Sequence, residues 1–160
     1  MTENELGDYI RCFRGTVFRL AYSYLKNRED AEDVAQEAFL KLYRSEERFE
    51  AAENVKAWLI RVTINISKNL LNNSWHKKRT EIDGDIPCES RKESILVEYI
   101  GRLKPEYGMV VHLFYYEGYS VKEISQICRI SSSAVRTRLT RARNQLKKML
   151  LKEGFHETGL

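Results

Sequence analysis

Apolar residues recur along this chain at spacings of three and four, the period of an amphipathic helix, and nowhere alternate as a half-buried strand requires. From Asp8 to Leu25 the apolar positions are Ile10, Phe13, Val17, Leu20, Ala21 and Tyr24. Asn27-Arg-Glu-Asp then makes a turn, and Asp30 serves as cap or first-turn acid of a second helix to Arg44. A polar stretch from Ser45 to Glu53 precedes a third helix from Asn54 to Trp75. Residues 76–92 are polar and hold Gly84 and Pro87. Further helices follow over Glu93–Arg102, from the break at Lys104-Pro105 to Tyr116, and twice more after a turn at Glu117-Gly118. The pattern predicts an all-α chain of two small helical domains. The first, of three or four helices, spans residues 1–79, a flexible linker spans 80–92, and the second domain spans 93–160.

Two prolines and eight glycines in 160 residues leave long helices unbroken. No apolar run approaches the roughly 20 residues that span a bilayer, and the acidic start Met-Thr-Glu-Asn-Glu lacks the regions of a signal peptide. A cytoplasmic protein with no membrane insertion is expected. Cys12, Cys88 and Cys128 lie far apart without metal-ligand spacing, which argues against a disulfide framework and a zinc site. His76, His112 and His156 are isolated, and His112 lies in an apolar helix where packing is expected. Residues 1–80 offer serines but no paired base, metal-ligand set or glycine-rich phosphate loop. No enzyme, metal or cofactor is expected.

Charge is modest in sum and uneven in distribution. Net charge is +4, yet residues 61–80 hold five basic and no acidic side chains, and residues 126–152 hold eight and none. Residues 1–60 lean acidic, with 9 basic against 12 acidic. Two acid-free basic blocks look like two nucleic-acid footprints, although either alone is also what a solvated surface looks like.

The second block has a definite form. Ser120 and Glu123 have the spacing of a capping box, and Ile124, Ile127 and Cys128 line the inner face of a short helix. Arg129-Ile-Ser makes a tight connection, and Ser131 or Ser132 caps a longer helix with Val135, Leu139, Ala142 and Leu146 on one stripe. At about 100° per residue, Arg136, Thr137, Thr140 and Arg141 fall opposite, as a helix-turn-helix needs for the major groove. Arginine bonds guanine bidentately, and threonine offers a methyl or hydroxyl to thymine. Arg138, Arg143, Lys147 and Lys148 lie beside that face, in place for phosphates.

The first domain carries two faces of different character. On the second helix Asp33, Gln36, Glu37, Leu40 and Arg44 lie away from the stripe of Ala31, Val34, Ala35, Ala38 and Leu42. An acidic face with an exposed leucine suits a basic protein partner. On the third helix Arg61, Asn65, Lys68, Asn69 and Asn72 run between two apolar sides. Asparagine is a mediocre helix former, so its abundance there points to use, since its amide both donates to and accepts from a base. Trp75, Lys77, Lys78 and Arg79 follow, an aromatic beside a cationic run, the means by which single strands are held. For Trp58, core packing is the expectation.

These segments together resemble the ECF sigma factors of bacterial RNA polymerase, in the sigma-70 family. The stretch from Asp30 to Tyr43 resembles the region-two helix, and the stretch from Val55 to Asn65 resembles the one after it, where a tryptophan leads to an asparagine. Residues 119–124 and 134–146 look like the region-four helix-turn-helix. The resemblance implies that Asp33, Gln36, Glu37 and Leu40 dock on the β′ clamp helices of core polymerase, and that region four meets the β flap. It implies that Arg61, Asn65, Lys68, Asn69 and residues 75–79, with the loop around Ser45–Lys56, melt and read a −10 element as single strand. It further implies that Ser133, Arg136, Thr137, Arg138, Thr140, Arg141 and Arg143 read a −35 element as duplex. Control by a cognate anti-sigma factor, often membrane-bound, belongs to the same expectation.

Three departures from the family pattern stand out. Ser133-Ala134 stand where Gly-Thr is frequent, and Gly108 and Phe114 stand where arginines are frequent. These changes bear on which promoter is read. A stand-alone helix-turn-helix regulator is the alternative; it accounts for residues 119–150 but leaves the acidic face and the asparagine-rich helix without a task.

Overall fold

The computed structural model describes residues 1–73 and 97–154. All regular structure among them is helical, and the chain divides into two compact units, Met1–Asp85 and Ile86–Leu160. The expected linker and residues 75–79 lie outside the described residues.

In the first unit three helices pack on one another: α1 (Glu3–Leu25), α2 (Arg28–Arg44) and α3 (Ala52–Asn72). α1 begins five residues before the expected start. Thr2 accepts from the Glu5 amide while the Glu5 carboxylate accepts from the Thr2 amide, a capping box that overrides the weaker apolar period there. Asn27 caps α2 by accepting from the Asp30 amide at 3.0 Å, which makes Asp30 a first-turn acid. Leu20 and Tyr22 of α1, Val34 and Leu42 of α2, and Val55, Leu59 and Ile60 of α3 are fully enclosed. Each such aliphatic contributes about 1.5–3 kcal/mol by leaving water. Trp58 is half-buried rather than central, its ring edge-on to Phe49 with centroids 6.1 Å apart.

The second unit holds helical residues 97–101 (α4), α5 (Pro105–Val111), α6 (Val121–Cys128) and α7 (Ser132–Lys152). Pro105 occupies the first turn of α5, where its missing N–H costs nothing. The helix expected to continue smoothly to Tyr116 instead widens into one π turn, His112–Tyr116, closed by the Glu117 amide donating to the His112 carbonyl at 3.0 Å. His112 is 2% exposed, pairs with Glu117 at 3.3 Å and stacks on Tyr116, so its expected packed role holds. Gly118, at φ 78°, turns the chain into α6. Ile100, Leu103, Tyr107 and Val111 form a core with Ala142 of α7, and Leu146 and Met149 close over it.

The far end of α7 is clamped. Glu153 accepts from the Tyr99 hydroxyl on α4 and from Arg102, which also pairs with Glu98 at 2.8 Å. The Tyr99 hydroxyl, then the Arg102 guanidinium, hold the Glu153 carboxyl below the ordinary carboxylate range. A depressed folded pKa means that this contribution is present above the unfolded value and lost as pH falls through the folded one. Amide protection in the last turn of α7 is therefore expected to drop with acidification below about pH 4.5 in the wild type. In Glu153→Gln it should be lower at neutral pH and nearly flat across that range; an identical pH profile for the two proteins refutes the clamp. At the other end Ser131 accepts from the Ala134 amide at 3.0 Å. Ser131→Ala should cost about 1 kcal/mol in urea unfolding of the full chain, and no loss would show that water caps the helix equally well.

Candidate polymerase and nucleic-acid interfaces

α7 presents a cationic face because its other face is committed. Val135, Leu139 and Ala142 are buried, so Arg136, Thr137, Thr140 and Arg141 stand in solvent and Arg138 lies half-buried at the edge. The turn that sets the angle of α7 is pinned twice. Arg129 takes the left-handed conformation at φ 56° to end α6, and the Ser125 hydroxyl donates to the Ile130 carbonyl at 2.6 Å. The expected capping box of α6 is present, with Ser120 accepting from the Glu123 amide at 3.1 Å and Glu123 accepting from the Ser120 amide at 3.0 Å. The Ser120 amide, then the Ser120 hydroxyl, hold the Glu123 carboxyl below its usual value. Cys128 is a free thiol, 3.7 Å from the Met109 thioether, and Cys12 is free and exposed.

Arg136, Arg138 and Arg141 make no ion pair with another described residue. Arg143, placed by spacing beside the reading face, is engaged differently. Its guanidinium bonds the Tyr115 hydroxyl and lies over the rings of Tyr115 and Phe114, at 5.5 and 5.9 Å from their centroids. Phe114, where family members often carry arginine, thus serves as the platform for one. Between α7 and the start of α5 runs an open groove, with Glu106 and Tyr107 on one side and Ser133, Thr137, Arg138 and Arg141 on the other.

In the first unit the acidic face of α2 is as expected: Asp33, Gln36, Glu37 and Leu40 are all exposed. Glu37 pairs with Lys41 at 3.8 Å, a surface pair of small energetic value. Leu40 is 44% exposed, and Tyr43 beside it is 39% exposed. Tyr43 was not among the expected residues, although its position three beyond Leu40 was the available signal. On α3, Asn65, Lys68 and Asn69 are exposed with Asn72, and Arg61 is half-buried. Ile60 and Ile64 are buried behind them and hold this asparagine-rich stripe outward. Trp75, Lys77, Lys78 and Arg79 lie outside the described residues, so α3 carries the described part of that surface.

No described helix is long and apolar enough to cross a membrane, and no described group of three metal-ligating side chains converges. What the two units offer is solvent-facing, complementary charge. One surface is acidic with an apolar centre, one is amide-rich with Arg61 and Lys68 among its asparagines, and one is cationic and flanked by hydroxyls.

Known proteins resemble this chain along most of its length. Residues 9–77 match the family model for sigma-70 region 2, and residues 94–146 match that for sigma-70 region 4. The chain is 30% identical over 142 residues, 85% of each chain, to the RNA polymerase sigma factor SigV of Bacillus subtilis strain 168. It is 29% identical over 158 residues to the ECF RNA polymerase sigma factor SigE of Mycolicibacterium smegmatis, covering 91% of this chain and 61% of that one. In fold it is similar to the sigma factor RpoE of Bartonella quintana, solved with the anti-sigma factor NepR. That match has a TM-score of 0.74 at 20% identity, over 91% of this chain and 96% of that one. With both regions matched in order, and a relative of this identity along most of its length, the chain belongs to the sigma-70 family of RNA polymerase sigma factors, in the ECF group.

Proposed function

We propose that this chain mounts two DNA readers on core RNA polymerase and so directs initiation at one set of promoters. The observation that carries the reading is the presence in one chain of three unlike exposed faces, on α2, α3 and α7. A stand-alone regulator needs only the last of them. The acidic face of α2 suits a basic helical partner, the β′ clamp helices, with Asp33, Gln36 and Glu37 steering while Leu40 and Tyr43 anchor. Region four meets the β flap.

On α3 the amides of Asn65 and Asn69 pair with exposed bases of a melted −10 element, and Arg61 and Lys68 follow the strand. Trp75, Lys77, Lys78 and Arg79 extend that track. On α7, Arg136, Thr137, Thr140, Arg141 and Ser133 face the −35 duplex, while Arg138 and Arg143 set register on phosphate. The chain's own residues bind and orient, and the polymerase performs the chemistry in the cytoplasm.

The proposed division, 1–79, linker 80–92 and 93–160, encloses both matched regions. Control by an anti-sigma factor that releases the chain on an envelope signal is part of the reading, supported by the likeness in fold to a sigma factor solved with NepR.

The test is run-off transcription with core polymerase from the source organism on a genomic promoter library. Protein-dependent transcripts sharing −35 and −10 elements are expected. A double variant, Asp33→Lys with Glu37→Lys, should lose both the transcripts and core polymerase in a pull-down while keeping the helical circular dichroism of the wild type. If it keeps polymerase, the docking assignment is wrong. Arg136→Ala is expected to relax preference at a single base pair by about 1–3 kcal/mol, near ten- to a hundredfold. Uniform weakening across all sequences would make Arg136 a phosphate contact instead.

A further inference from the structure

The groove beside α7 holds one carboxylate among its cationic and hydroxyl-bearing lining. In the groove between α5 and the first half of α7, the single lining carboxylate is Glu106, facing a wall that includes Arg138 and Arg141. Glu106 is exposed and forms no ion pair with another described residue, although two guanidiniums line the same groove. A first-turn acid complements the dipole of its helix, but that role is indifferent to what lies across the groove.

On the proposed reading Arg138 sets register on phosphate, which brings the backbone of a seated duplex against this groove. A fixed carboxylate there opposes the phosphates that the arginines attract. The phosphate term supplies sequence-independent binding, so a carboxylate in this place lowers affinity for every duplex alike and leaves the base contacts untouched.

We propose that Glu106 is an electrostatic brake on the duplex reader: it keeps the unmounted chain from being captured by bulk DNA, so that stable promoter contact requires polymerase. This rests on the reading of α7 as the duplex reader. It assigns a task to a residue outside the helix-turn-helix.

The experiment measures binding of the full chain to a pool of random-sequence duplexes by fluorescence anisotropy. Titrations run from low salt upward, and the bound fraction is sequenced. Glu106→Gln should bind the pool about three- to tenfold more tightly than wild type at low salt, converge on it as salt rises, and enrich the same bases. Glu106→Asp, which keeps the charge, should bind like wild type and controls for folding. Unchanged affinity in Glu106→Gln would reduce Glu106 to a helix-start acid. Weaker binding with altered base enrichment would make it a base reader, and either result overturns the brake. Arg136→Ala and Arg141→Ala, run alongside, separate the two levels. If both bind and select like wild type, the reading of α7 has failed; if they lose binding while Glu106→Gln is unchanged, the brake alone has failed.

Discussion

The second unit depends on the burial of one narrow stripe of α7. Val135, Leu139 and Ala142 are the buried residues of a 21-residue helix whose remaining positions are mostly polar or cationic. A helix of that composition gains little on its own, because its like charges repel at close spacing. Arg138 and Arg141 are three apart, and Arg143 and Lys147 four apart, with no acid in the helix to relieve them. Packing against Ile100, Leu103, Tyr107 and Val111 supplies what propensity does not. Because the helical repeat is rigid, burying that stripe also decides where every guanidinium points. The unrelieved repulsion is then available to any polyanion, which neutralises it on binding. Stability and recognition come from the two faces of one element.

The first unit meets the same constraint with different residues. α3 carries asparagines that favour turns over helices, and it forms because Val55, Leu59, Ile60 and Ile64 are buried against α1 and α2. Its outward stripe carries Arg61 and Lys68 among the asparagines, so its charge is sparser than that of α7. α2 carries the acid and the exposed Leu40 and Tyr43, so surfaces of unlike character are assigned to separate helices of one core.

How much of this was legible in the sequence depends on the range over which each feature is decided. The capping box of α6, the stripe of α7 and the exposed face of α2 are settled within one or two turns, and residue spacing alone located them. The start of α1 was equally local: Thr2 and Glu5 had the spacing of a capping box, but the apolar period begins later and drew the boundary inward. The π turn at His112–Tyr116 left no trace in the period, because it is closed by the Glu117 amide and accompanied by a buried contact between His112 and Glu117. Arg143 shows the same limit. Its angle on α7 put it beside the reading face, yet Tyr115, 28 residues earlier, takes its guanidinium. Helical angles cannot see a partner that only folding brings near.

That captured guanidinium joins packing to recognition. A side chain stacked on Phe114 and Tyr115 keeps its full charge while losing most of its rotamer freedom, so less entropy remains to be lost when a phosphate arrives. It also ties the π turn, which leads into α6, to the middle of α7. The helix-turn-helix is thereby held from both sides, by Ser125 and Arg129 within its turn and by Arg143 from beyond it. On the proposed reading α3 and α7 are two small readers in one chain, and two such readers gain by effective concentration once a third surface, the acidic face of α2, fixes them to a common scaffold.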